Sequence, residues 1–285
     1  MIFRPLLLAG LLSISAAALA DNTFDRTLNV SAQSDLYVST GAGNIHVTPG
    51  AGNQIHVVGH VHASWSAFGD IGSRVQQIVD HPPISQEGNN VRIGESKDRG
   101  LFNNLAIDYD ITVPADVALN LHSGSGDIEV NHVGRFLAAS SGSGNVRAHG
   151  IHGPSDLESG SGDLELEDEA PGDVKARTGS GNIHVRGLNG AFNARTGSGN
   201  IEAEGRIQGS GMISTGSGDV RLHLSPDSHV TIEGSTGSGD IRVHIPGAAN
   251  ANTETSRHHV TTAVNGGGPP LQIRTGSGNI ELASR

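Results

Sequence analysis

Apolar residues recur at every second position through most of this chain, in short runs separated by clusters of glycine. Ile183-His184-Val185, Ile201-Glu202-Ala203 and Val220-Arg221-Leu222 each follow such a cluster. Val174-Lys175-Ala176-Arg177-Thr178 and Phe192-Asn193-Ala194-Arg195-Thr196 each precede one. This alternation predicts strands with one buried face, and helical spacing fits none of the runs. Ile183, Val185, Phe192, Ala194 and Thr196 are expected to point into a core, while His184, Asn193 and Arg195 face outward. The same pattern predicts strands at Leu36-Tyr37-Val38, Ile45-His46-Val47, Val91-Arg92-Ile93 and over 106–113. Asp70 to Val79 reads as a short helix or an irregular insert, stopped by Pro82-Pro83. Residues 246–270, rich in Ala, Asn, Thr, Gly and Pro, read mostly as loop.

The glycine clusters are one motif: Ser or Thr, then Gly, a small residue, Gly, and Asp or Asn. It occurs nine times, with its first glycine at Gly41, Gly124, Gly142, Gly160, Gly179, Gly197, Gly216, Gly237 and Gly276. From Gly124 to Gly237 the steps are 18, 18, 19, 18, 19 and 21 residues, and the last step is 39. A fixed period of this length signals stacked coils. A strand ending at Thr178 and another starting at Ile183 require a sharp corner between them. Glycine suits a corner because it reaches positive φ without steric cost and lets successive corners stack closely. Asn and Asp tolerate the left-handed region better than most residues. A single coil buries too little to offset the ordering of its backbone, so each must pair with its neighbours. The predicted fold is an all-β β-solenoid, a single-stranded β-helix expected to be right-handed, with coils of about 18–19 residues. One small irregular or helical insert falls at about 65–83, and residues 21–285 are expected to form a single elongated domain.

In-register stacking makes a further prediction about charge. The first outward residue after each corner reads Glu129, Arg147, Glu165, His184, Glu202, Arg221, Arg242, alternating in sign through most of the column. Opposite charges directly stacked are favourable and like charges are not. The corner column Asp127, Asn145, Asp163, Asn182, Asn200, Asp219, Asp240 dilutes what would otherwise be a row of carboxylates.

The first twenty residues, MIFRPLLLAGLLSISAAALA, carry cationic Arg4, an apolar run from Leu6 to Ile14 and the small-x-small site Ala18-Leu19-Ala20. They read as a secretory signal peptide cut before Asp21. The rival, an uncleaved anchor, is disfavoured because the apolar run is short for a membrane span. No later run is long enough either. The expected location is periplasmic or extracellular. Formal charge is −11, and removal of Arg4 makes it −12. With only Lys97 and Lys175 as lysines, the chain has no footprint for nucleic acid and no polybasic patch for anionic lipid. Absence of cysteine excludes disulfides and thiol metal sites.

Taken together, FDRTLNV, STGAGNIHVTPG, YDITVPADVALNLHSGSGDIEV, the tandem corners and GGGPPLQIRTGSGNIEL resemble a bacterial domain-of-unknown-function family of candidate adhesins. That family is related to the GIN-domain adhesin-head proteins, and the resemblance spans about residues 24–285. It implies an exported or cell-envelope β-solenoid, with no catalytic residues to carry over. The insert around Trp65–Pro83 and the lack of a membrane helix after the signal depart from the pattern.

Candidate chemistry is sparse. Calcium-loaded β-rolls use a nine-residue repeat with Asp two places beyond the glycine. Here Asp or Asn follows the glycine directly, and Asn44, Asn145, Asn182, Asn200 and Asn279 are neutral, so the corner aspartates read as turn residues. His60 and His62 share a strand face at a spacing that can chelate zinc or copper, and His258-His259 form a second pair; solvated histidines are the simpler reading. Glu158, Asp163, Glu165, Glu167, Asp168 and Glu169 cluster in sequence and raise the alternative of a carboxylate pair for glycoside hydrolysis. No nucleophile elbow, zincin motif or phosphate loop is present. Trp65 and Phe68 are the aromatic candidates for a contact patch, with burial against the coil as the rival use. The expected role is a non-enzymatic envelope scaffold or adhesin-like module without a cofactor. Its partner would be an envelope or surface protein or polysaccharide, and self-association through exposed terminal coils is possible. The alternative is a carbohydrate-active enzyme on the same scaffold.

Overall fold

The computed structural model describes residues 22–31, 33–63, 71–96, 98, 100–246, 254–256 and 258–284. Residues 1–20, and with them the signal-peptide reading, lie outside the described residues, as do Trp65 and Phe68. Strands β1 (Thr23–Asn29), β2 (Asp35–Thr40), β3 (Ile45–Pro49) and β4 (Gln54–Ala63) precede helix α1 (Ile71–Asp80). After the helix come β5 (Ile84–Glu87), β6 (Asn90–Ile93), β7 (Leu105–Val113), β8 (Ala118–Ser123) and β9 (Ile128–Asn131). The regular coils hold β10 (Phe136–Ser141), β11 (Val146–Ile151), β12 (Ser155–Ser159), β13 (Leu164–Asp168) and β14 (Val174–Thr178). They continue with β15 (Ile183–Gly190), β16 (Phe192–Thr196), β17 (Ile201–Ile207), β18 (Gly211–Thr215) and β19 (Val220–Leu224). Last come β20 (Val230–Thr236), β21 (Ile241–His244), β22 (Glu254–Ser256), β23 (His259–Val264), β24 (Pro270–Thr275) and β25 (Ile280–Ser284).

Two long sheets result. Sheet A runs β1-β4-β7-β3-β9-β11-β13-β15-β17-β19-β25-β21, and sheet B runs β22-β23-β20-β24-β18-β16-β14-β12-β10-β8-β2-β6-β5. Each coil gives one strand to each sheet, and successive coils pair in parallel and in register. The chain is thus a β-solenoid. Ile183, Val185, Phe192, Ala194 and Thr196 are all buried, as the alternation requires.

Coil order departs from chain order at both ends. At one end β7 pairs with β3 in parallel, and β4 and β1 then add to it antiparallel. Helix α1 buries Val75 and Ile78 and packs on β1 and β4, so the insert covers the core there. At the other end the final coil, β24 and β25, lies between the coil of β18 and β19 and the coil of β20 and β21. The 39-residue step is the excursion that makes this possible. Much of the stretch read as loop is strand: β23 pairs antiparallel with β20, and β22 with β23.

Inserting the last coil mends the charge column. In sequence Arg221 is followed by Arg242; in space Glu281 stands between them, in register with both. His46 stands before Glu129, so the ladder alternates without a break from His46 to Arg242. The corner column obeys the same order. Asn145 N–H donates to Asp127 Oδ1 (2.8 Å), Asp163 N–H to Asn145 Oδ1 (2.8 Å), and Asn182 N–H to Asp163 Oδ1 (2.7 Å). Asn279 takes its place between Asp219 and Asp240, with N–H donors handed on at 2.9 and 3.0 Å. Replacing Asn145 by Asp would put three carboxylates on adjacent rungs. A loss of about 1 kcal/mol in low salt is expected, mostly recovered at molar salt, as read by urea unfolding.

The corners correct one part of the sequence reading. None of the motif glycines, and none of the Asp or Asn residues after them, has positive φ; the positive-φ glycines include Gly150, Gly187 and Gly205, in the strands of sheet A. The motif needs glycine because the corners touch. A Cβ on Gly144 would lie 2.1 Å from the carbonyl oxygen of Gly126, and one on Gly162 would lie 2.1 Å from that of Gly144. The Ser or Thr that opens the motif is buried and ties two coils. Ser141 Oγ donates to Gly126 O and accepts from Gly144 N–H, both at 2.9 Å. Thr178, Thr196 and Thr215 repeat the arrangement.

Candidate functional site

The outward faces of the two sheets differ in kind. On sheet A the outward side chains neutralise one another across rungs. His184 meets Glu202 at 3.6 Å, Arg221 meets Glu281 at 3.8 Å, and His149 meets Glu167 at 3.5 Å. Long charged and imidazole side chains fill successive rungs there, so the face offers a paired polar surface.

Sheet B carries a groove of about 420 Å³ across the outward side of β2, β8, β10, β12 and β14. Its origin is the register. Tyr37, Asn120, Ala138 and Asp156 form one outward row, and Ser39, His122, Ser140 and Glu158 the next. Ala138 and Ser140 are short, so the surface dips between longer neighbours on either side. Tyr37 forms one wall, its ring covered by the Arg92 guanidinium 4.5 Å from the centroid. Arg92 also reaches Glu95 at 3.1 Å. Opposite stand Glu158 and Arg177, with Arg177 3.9 Å from Asp156. His122 Nδ1 and Ser140 Oγ lie 2.9 Å apart on the floor. A second hollow of about 180 Å³ continues past Arg177 to Arg195 and Met212. Met212 is the exposed large hydrophobic residue among those described, 46% accessible.

The structure disperses the sequence candidates. His60 Nε2 lies 3.3 Å from Asp110 and His62 Nε2 lies 3.0 Å from Asp108, so each histidine faces its own carboxylate. His258 Nδ1 lies 3.1 Å from Gly239 O, while His259 lies 3.3 Å from Thr261 Oγ1. Among the described residues no three His, Asp or Glu side chains are arranged to hold a metal ion. The corner aspartates are spent as backbone acceptors, as Asp127 and Asp163 show.

The acidic run divides among both faces, a corner and the interior. Glu158 faces outward on sheet B, Asp163 is a corner rung, and Glu165 and Glu167 face outward on sheet A. Glu169 lies between His132 (3.6 Å) and His152 (3.4 Å). Asp168 points inward, 6% exposed, at the position where the paired strand buries Ile151. Neither of its carboxylate oxygens has a hydrogen-bond partner, and burial pushes its pKa up to about 7.

Sequence reasoning missed the groove. Its signal was present, because aligning the strands that precede the corners places Ala138 and Ser140 between Tyr37 and Glu158. That signal needs the register of a second sheet, which the corner motif alone does not display.

The Toastrack DUF4097 family profile matches residues 34–283. No curated protein matches the chain. Among solved structures, a candidate adhesin from Bacteroides fragilis is similar at TM-score 0.47 and 15% identity, over 91% of this chain and 96% of that one. A candidate cell adhesion protein from Clostridium sporogenes gives TM-score 0.23 and 10% identity, over 92% of this chain and 100% of that one. Among the described residues no helix is long and apolar enough to cross a membrane. The profile match covers most of the chain and agrees with its stacked corners: the protein belongs to the Toastrack DUF4097 family.

Proposed function

We propose that this protein is an exported, non-enzymatic binding module of the cell envelope, a β-solenoid that offers the outer face of sheet B to a protein or polysaccharide partner. The contrast between the two faces carries the reading. Sheet A satisfies its own charges, while sheet B combines a groove, an aromatic wall and exposed Met212. Concave surfaces with a few convergent polar groups, and exposed apolar side chains rimmed by polar ones, are where partners bind. Export is supported by the signal-type sequence of residues 1–20.

The carbohydrate-active alternative loses ground because the run from Glu158 to Glu169 does not converge. The groove's own Asp156 and Glu158 are two residues apart on one strand and face the same way. A glycosidase pair must instead flank the scissile bond.

The test is retention of envelope proteins and purified envelope polysaccharides on immobilised protein. Arg195→Glu with Met212→Glu on sheet B is expected to abolish retention, while Glu202→Gln on sheet A preserves it. The reverse pattern would assign binding to the other face.

A further inference from the structure

We infer that the partner of sheet B is a second copy of this chain, docked face to face about a two-fold axis that runs along the strands between β12 and β14. This rests on the reading of sheet B as the binding face. The axis lies at the middle of the sheet, with six strands on one side and seven on the other.

Such a rotation keeps position along the strands and reverses the order of stacking. It sets β12 of one copy on β14 of the other. Asp156 then faces Lys175 of the second copy, and Glu158 faces Arg177, with both pairs formed twice by symmetry. Moving outward, β10 meets β16, which places Ala138 and Ser140 against Asn193 and Arg195. At the next step β8 meets β18, so Met212 of each copy stands over Asn120, inside the groove walled by Tyr37. Farther out β6 meets β20, and Arg92 faces Glu233. No like charges meet across any of these pairs. Centring the axis on β12 would confront Asp156 and Glu158 with themselves, and centring it on β14 would do the same to Lys175 and Arg177. The charge pattern therefore rejects both neighbouring centres.

The exposed apolar side chain and the hollow that can receive it sit at equal distances from this axis, two strands beyond β14 and β12 respectively. Twelve strands at about 4.8 Å, each contributing about 17 Å of length, give on the order of 900 Å² per copy. That matches the roughly 800 Å² per partner of a stable interface.

Sedimentation equilibrium on the purified chain tests this. The wild type is expected to dimerise, and Glu158→Arg, Arg177→Glu and Met212→Glu are each expected to weaken the dimer about ten-fold or more. Mixing the Glu158→Arg chain with the Arg177→Glu chain is expected to restore association, because every central pair across the mixed interface is then opposite in sign. A change confined to the fold of one chain cannot produce that rescue. A wild type that stays monomeric at millimolar concentration overturns the inference, as does a mixture that associates no better than its components. If the wild type is monomeric while Arg195→Glu with Met212→Glu still abolishes envelope binding, sheet B remains the binding face and only the second copy is wrong. If the dimer forms as drawn but envelope binding ignores sheet B, the proposed function fails and the dimer stands.

Discussion

Replacing Gly181 by alanine lowers the melting temperature by about 5 °C or more, whereas the same change at Gly41 leaves it nearly unmoved. Gly181 is the second glycine of its corner and Gly41 the first of its own, and neither has positive φ, so a need for left-handed backbone does not separate them. A Cβ on Gly181 would stand 2.0 Å from Gly162 O, 2.5 Å from Gly162 C and 2.9 Å from Asp163 N. These are backbone atoms of the preceding coil, and no rotamer change relieves them. The coils must part, which strains the Asx rung from Asn182 N–H to Asp163 Oδ1 and the bond from Thr178 Oγ1 to Gly162 O. Overpacking ordinarily costs about 1–3 kcal/mol, and more where backbone must yield. Gly41 opens the column: Gly124 stacks on it, and a Cβ on Gly41 meets nothing within 4 Å. Thermal unfolding by circular dichroism reads both variants. Equal losses would mean that the glycines serve turn flexibility rather than contact between corners.

The second large effect is at Asp168. Its carboxyl is expected to make the protein less stable as pH rises from about 4 to 7, and Asp168→Asn is expected to remove that decline. Unfolded, the group releases its proton near 3.8, the ordinary value for an aspartate; folded, burial holds it to about 7. Between these values the folded state holds a proton that the unfolded state has lost, so stability falls by about 1.4 kcal/mol per pH unit. Below 3.8 both states are protonated and there is no penalty. Above 7 both are ionised and the penalty is complete, on the order of 4 kcal/mol. Asparagine matches the neutral acid in size, so the variant should equal the wild type near pH 4 and exceed it at pH 8. Denaturant melts at the two pH values measure the difference. A gap that does not widen between them would show that the carboxylate is solvated in the folded state. The position tolerates no obvious function for the charge, since the paired strand fills the same place with Ile151.

Much of this molecule was legible because a solenoid is built from nearest-neighbour contacts repeated along the chain. Period two exposed the strands, period 18–19 exposed the coils, and the alternating Glu, Arg and His of sheet A exposed the stacking. The one fault in those columns, Arg221 followed by Arg242 and Asp219 by Asp240, was itself a trace of the last coil's insertion. It reads as a trace only once β25 is seen between β19 and β21. Period-two counting from Leu164 and Leu166 puts Asp168 on the inward face, and it escaped notice because it stands in a run of acidic residues that reads as surface.

The sequence by itself determined the strands, the corner positions, the in-register stacking and the neutralised face of sheet A, because all of these follow from contacts one period apart. Only the tertiary structure decided the out-of-order final coil, the placing of the helix over the other end, and the groove of sheet B. Each of those depends on which distant segment lands beside which, and a periodic pattern carries no information about a contact made outside its own period.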